Sequence, residues 1–124
     1  MAAMSQSLED YLEAVYLLIA EDRPAQVRDV AKSLSVKMPS VVKAIHELKK
    51  LGLVTQEPYA NIELTAKGRR AARKVLDRHT LIRSFLMKLG VGRRTADRDA
   101  CLMEHILSAE TLDKIRTYTE KDSK

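Results

Sequence analysis

Cys101, Glu104 and His105 stand at i, i+3 and i+4 in the stretch D-A-C-L-M-E-H-I-L-S, residues 99–108. On a helix these three side chains share one face. A thiol, a carboxylate and an imidazole together form a donor set for a divalent metal ion. Two further carboxylates, Asp10 and Glu13, are spaced i, i+3 in E-D-Y-L-E, and another imidazole, His79, sits in R-H-T-L-I-R-S-F. Each also has a plainer reading. Carboxylates in a first helical turn favour the helix dipole, a single histidine is commonly surface polarity, and Glu104 and His105 can bond locally. A metal held here would serve regulation or hydrolysis. For hydrolysis the chain offers no H-E-x-x-H, no phosphate loop and no separate acid or base, so no catalytic residue is assigned.

The elements that must position these residues are mainly helical. Apolar residues Leu8, Tyr11, Leu12, Val15, Tyr16, Leu18 and Ile19 recur at helical spacing over residues 5–21, with Ser5 or Ser7 as cap and Asp22-Arg23-Pro24 as stop. A short second helix over 26–34 turns Val27, Val30, Ala31 and Leu34 inward. After Ser35-Val36-Lys37, a third helix over 38–51 carries Pro39 in its first turn, where a missing N–H is harmless, and ends at Gly52. Its buried stripe is read as Val41, Val42, Ile45 and Leu48. Two short runs, 53–57 and 62–65, flank Pro58-Tyr59-Ala60-Asn61 and read as a β-hairpin, because Asn tolerates positive φ. Thr65 caps a long helix to about Leu89, Gly90-Val91-Gly92 breaks it, a fifth helix covers 93–107, and Ser108 caps a last one to about Thr119. The tail after it is read as frayed.

The 124 residues suffice for one ordinary domain or two small ones sharing a core. One cysteine excludes an intrachain disulfide and fits a reducing cytosol. No signal peptide and no membrane-length apolar run is seen, which implies a cytoplasmic protein. The net charge of +5 is a mild basic excess, compatible with nucleic acid.

Two short helices around a tight turn, followed by a hairpin, spell a winged helix-turn-helix. The third helix would enter a major groove with Lys37, Pro39, Ser40, Lys43 and Ala44 facing outward. Lys37 and Lys43 supply phosphate or guanine contacts, Ser40 reaches base or phosphate, and Pro39 offers an apolar contact to a thymine methyl. The alternative is an ordinary three-helix unit with a solvated lysine face. Lys67, Arg69, Arg70, Arg73 and Lys74 follow the hairpin directly and could grip phosphates, with a plain solvated face as the equal alternative for the distal ones.

The segments E-D-Y-L-E-A-V-Y-L-L, V-R-D-V-A-K-S-L-S-V-K-M-P-S-V-V-K, G-L-V-T-Q-E-P-Y, L-T-A-K-G, R-H-T-L-I-R-S-F-L and D-A-C-L-M-E-H-I-L-S together resemble the diphtheria-toxin-repressor family of iron- and manganese-dependent transcriptional regulators. The resemblance runs in order along nearly the whole chain. It implies a mainly α protein with a winged helix-turn-helix domain over residues 1–72 and a helical metal-binding and dimerisation domain over 73–124. It places the metal ligands on Asp10, Glu13, His79, Cys101, Glu104 and His105. Iron-type members carry Met where Asp10 stands, and manganese-type members often carry Glu where Cys101 stands. Arg83 and Asp97 occupy the places of ancillary-site ligands in iron-type members. Tyr59-Ala60-Asn61 stands at a wing tip that is Arg-Gly in many members, so a cationic wing contact is missing. The sequence stops before the SH3-like third domain of the iron type, which points to the two-domain manganese type.

The function this implies is metal-dependent repression of metal-ion homeostasis genes, with Mn²⁺ as corepressor and Fe²⁺ as the alternative. The partners are a palindromic operator and a second copy of the chain. Leu102, Met103, Ile106, Leu107, Leu112, Ile115 and Tyr118 exceed what one helix pair needs, and part of this set is read as the dimer seam. Two other classes stay open from the residues alone. One is a metal-independent repressor with Cys101 as a buried small hydrophobe or a redox sensor. The other is a metallo-enzyme.

Overall fold

A computed structural model describes residues 4–58 and 60–121. Among them are α1 (Gln6–Ala20), α2 (Val27–Leu34), α3 (Met38–Lys50), β1 (Val54–Thr55), β2 (Glu63–Leu64), α4 (Ala66–Lys88), α5 (Arg93–Met103) and α6 (Ala109–Lys121). The chain divides into two compact units, one ending at Arg73 and the other beginning at Lys74, both within α4.

In the first unit Ser5 caps α1, its Oγ accepting from the Leu8 N–H at 3.2 Å. Tyr11, Leu12, Ala14, Val15 and Leu18 form the buried stripe, and Leu8, Tyr16 and Ile19 pack beside it. Asp22 takes positive φ just past the helix end. The Asp29 carboxylate accepts from the Gln26 N–H at 3.0 Å to start α2, and left-handed Ser35 makes the turn into α3. The α3 stripe differs from expectation at two positions. Ala44 is buried at 5% exposure, and Val42 is out at 55%. The buried residues are Val41, Ala44, Ile45 and Leu48. On a 3.6-residue repeat Ala44 lies about 50° from the centre of that stripe and Val42 about 110°. Ala44 is therefore not an outward residue, and Val42 is not a core one. The helix is capped by Leu51, with Gly52 one step beyond at positive φ.

The hairpin is shorter than expected, pairing Val54 with Leu64 and Thr55 with Glu63. Its second arm begins by bonding elsewhere: the Ile62 N–H donates to the Ala25 carbonyl at 2.7 Å. Asn61 does not take positive φ, and its side-chain oxygen accepts from the Gln26 amide at 3.1 Å. Tyr59, at the wing tip, lies outside the described residues. Thr65 caps α4, its Oγ1 accepting from the Gly68 N–H at 2.9 Å and lying 2.7 Å from the Gly52 carbonyl oxygen, to which it donates. At Gly68 a side chain is sterically excluded, because a Cβ would run into the Leu53 carbonyl.

In the second unit Val75, Leu81, Ile82, Ala96, Ala100 and Ile115 are buried. Gly90, at φ +103, terminates α4. Helix α5 stops at Met103, four residues before the expected end. Glu104 is its cap, and the Ile106 N–H donates to the Met103 carbonyl at 3.1 Å in a tightened last turn. Ser108 caps α6, accepting from the Thr111 N–H at 3.2 Å. α6 continues to Lys121, so Glu120 and Lys121 of the expected frayed tail are helical, and the rest of that tail lies outside the described residues. Lys88 anchors α6 to α4, donating to the Tyr118 carbonyl at 2.7 Å with its ammonium 4.5 Å from the Tyr118 ring centroid. No described helix is long and apolar enough to cross a membrane.

Candidate metal centre and nucleic-acid face

Helix α4 delivers His79, the last turn of α5 delivers Cys101, and the cap position delivers Glu104. One donor atom from each lies within 4.8 Å of the other two. Donors bound about 2.0–2.4 Å from a single ion are separated by up to about that distance, so the three fit one cation. The Glu104 side chain is fully buried, with Oε2 3.3 Å from His79 Nδ1 and Oε1 3.3 Å from His105 Nε2. The turn after α5 thus gives the carboxylate an imidazole on each side. His79 Nδ1 is buried and makes no hydrogen bond. An imidazole nitrogen in that state beside a buried carboxylate suits a metal better than a packed core, since burying such groups without compensation is costly. Arg78 fixes the turn from α4, its Nε–H donating to the Glu104 carbonyl at 3.0 Å.

Behind His79 stands a group that in the sequence shows only as a departure from an ancillary ligand pattern. Asp97 Oδ1 is 2.7 Å from His79 Nε2 and 3.1 Å from the Arg83 guanidinium nitrogen that donates to it. The hydrogen bond with His79, and then the one with Arg83, hold the Asp97 carboxyl below the usual carboxylate range. Spacing carried this clue: Arg83 is i+4 from His79, and Asp97 is i−4 from Cys101. Asp10 and Glu13 stand on α1 of the first unit, both half-buried.

Lys37, Pro39, Ser40 and Lys43 are exposed at the start of α3, together with Met38 and Val42. Arg69, Arg70, Arg73 and Lys74 are exposed on the first part of α4. Lys67 donates to the Leu51 carbonyl at 3.0 Å and so caps the end of α3. In the second unit Leu102, Ile106 and Tyr118 are exposed, whereas Ile115 is spent on the unit's own core.

Comparison with known proteins matches residues 3–62 to the iron dependent repressor N-terminal DNA binding domain. Residues 65–123 match the iron dependent repressor metal binding and dimerisation domain. An HTH-type transcriptional regulator of Methanocaldococcus jannaschii is 45% identical over 120 residues, covering 95% of this chain and 96% of the relative. The transcriptional regulator MntR of Escherichia coli O157:H7 is 40% identical over 114 residues, covering 92% of this chain and 74% of the relative. A solved manganese-dependent transcriptional repressor in complex with manganese superposes with a TM-score of 0.80 at 26% identity, over 90% of this chain and 52% of that one. The chain belongs to the diphtheria-toxin-repressor family of metal-dependent transcriptional regulators. It is a DNA-binding regulator with a metal-binding and dimerisation domain, and it is not an enzyme.

Proposed function

We propose that the protein is a manganese-responsive repressor of metal-ion homeostasis genes, acting in the cytoplasm as a homodimer on a palindromic operator. The observation that carries this reading is the buried Glu104 carboxylate set between His79 and His105, with Cys101 in reach. Asp10 and Glu13 complete the ligand set from α1. When bound, the divalent cation supplies positive charge that these carboxylates and imidazoles share. Everything else is done by the chain. Glu104 offers an oxygen to each side, His79 and His105 offer nitrogens, and α1 commits the first unit to the arrangement that its carboxylates complete. A dimer in that arrangement presents its two α3 helices to half-sites about 34 Å apart, or a multiple of that. The shift in population equals the differential affinity of the metal for that state.

On α3, Lys37, Ser40 and Lys43 contact backbone or base edges and Pro39 an apolar edge. The oxygen donors Asp10, Glu13 and Glu104 favour Mn²⁺, and the similarity to a solved manganese-dependent repressor supports it. Cys101 keeps Fe²⁺ as the second candidate, since a thiolate is the softer ligand. The test is an operator-binding titration on the palindrome upstream of a metal-transporter gene, with Mn²⁺, Fe²⁺ or chelator. Tight binding only with metal is expected. Equal binding in chelator and in metal overturns the reading.

A further inference from the structure

We propose that Asp97, held in place by Arg83, is a positioning residue that fixes the His79 ring in the Nε2–H tautomer, so that Nδ1 turns its lone pair toward Cys101 and Glu104. This rests on the reading of His79 as a metal ligand.

An ionised carboxylate only accepts, so the 2.7 Å contact between Asp97 Oδ1 and His79 Nε2 requires the proton to be on Nε2. A neutral imidazole then carries no proton on Nδ1. That is the buried atom without a hydrogen bond, on the side of the ring that faces Glu104 Oε2. Arg83, one turn along α4 from His79, donates to the same Asp97 oxygen at 3.1 Å. The carboxylate is therefore pinned from two positions on α4. Asp97 itself lies one turn before Cys101 on α5. One ion pair thus sets the register between the helix that supplies the imidazole and the helix that supplies the thiol. The Arg83–Asp97 pair directs both helices at His79. Outer partners of this kind are worth about 10–100-fold in metal affinity.

The experiment uses the full-length protein labelled with ¹⁵N-histidine. Long-range ¹H–¹⁵N correlation on the chelator-treated protein reads the tautomer of His79 without any metal. Wild type is expected in the Nε2–H form, and Asp97→Ala is expected to lose that preference. Competition against a chromophoric chelator then reads Mn²⁺ and Co²⁺ affinity. Asp97→Ala should bind both about 10–100-fold more weakly, and Arg83→Met should be weakened to a smaller degree. If Asp97→Ala does not fold, Asp97→Asn replaces it, with a mixed tautomer and weaker metal binding expected. A wild-type ring in the Nδ1–H form, or Asp97 variants with unchanged tautomer or unchanged metal affinity, overturns the proposal. His79→Ala separates the two readings. If that variant keeps full metal affinity, His79 is not a ligand and the function reading fails at this residue. If it loses affinity while the Asp97 variants do not, only the positioning role is wrong.

Discussion

Arg78 and Glu104 are joined by a hydrogen bond from the Arg78 Nε–H to the Glu104 carbonyl, 3.0 Å long and bridging 26 positions of sequence. It secures the turn after α5 to the middle of α4, so the carboxylate below it does not depend on α5 alone for its place. Arg78→Ala should cost about 1.5–3 kcal/mol, the range for a hydrogen bond with a charged partner. Urea unfolding of the metal-free protein measures it. Arg78→Lys should recover little, because an ammonium does not reproduce the guanidinium geometry.

Glu104→Gln preserves the shape of the fully buried side chain and removes its charge. Wild type should gain about 2.7 kcal/mol of stability at Mn²⁺ one hundred times the dissociation constant. The variant should gain next to nothing, while its circular dichroism without metal matches wild type. Melting curves across a Mn²⁺ titration decide this, and an undiminished metal response would remove Glu104 from the ligand set.

Cys101→Glu exchanges the soft donor for a hard one at the last turn of α5. It should sharpen the preference for Mn²⁺ over Fe²⁺ and Co²⁺. It should also abolish the sulfur-to-metal charge-transfer absorption of the Co²⁺ form. A wild-type Co²⁺ spectrum without that band would show that the thiol is not a ligand.

Ile106 and Leu102 are 74% and 58% exposed in the metal binding and dimerisation domain. Burying an aliphatic side chain is worth about 1.5–3 kcal/mol, and a two-fold interface counts each change twice. Ile106→Glu should therefore raise the dimer dissociation constant by about 100-fold or more. Sedimentation velocity at micromolar concentration reads the change, and a dimer as tight as wild type would place the seam elsewhere.

Periodicity made the helices legible. Tyr11, Leu12, Val15 and Leu18 are the stripe of α1 that their spacing implies. It was less able to find the edge of a stripe. Val42 is apolar yet turns outward, and Ala44 is small yet buried, because angle around the helix and not residue type sets where a stripe ends. The i, i+3, i+4 pattern of Cys101, Glu104 and His105 suggested one helical face, yet α5 ends at Met103. Glu104, at the cap in αR geometry, is the member in reach of both others, with Cys101 and His79 within one cluster and His105 Nε2 3.3 Å from its Oε1. In the sequence Asp97 and Arg83 read only as departures from an ancillary ligand pattern. Their bond to one another and to His79 depends on how α4 packs on α5, which no single helix's spacing reveals.

The missing side chain at Gly68 brings the peptide backbone of α4 directly against the Leu53 carbonyl at the root of the hairpin. Thr65 donates to the Gly52 carbonyl at the same place. With no side chain between them to give way, the root of the hairpin and the first turn of α4 open together or not at all. Gly68→Ala should therefore destabilise by about 1–3 kcal/mol even though alanine is the better helix former, and thermal melting measures this. In hydrogen-exchange terms, the amides of Thr65 and Gly68 should share one protection factor and respond together to urea, as members of a single cooperative opening unit.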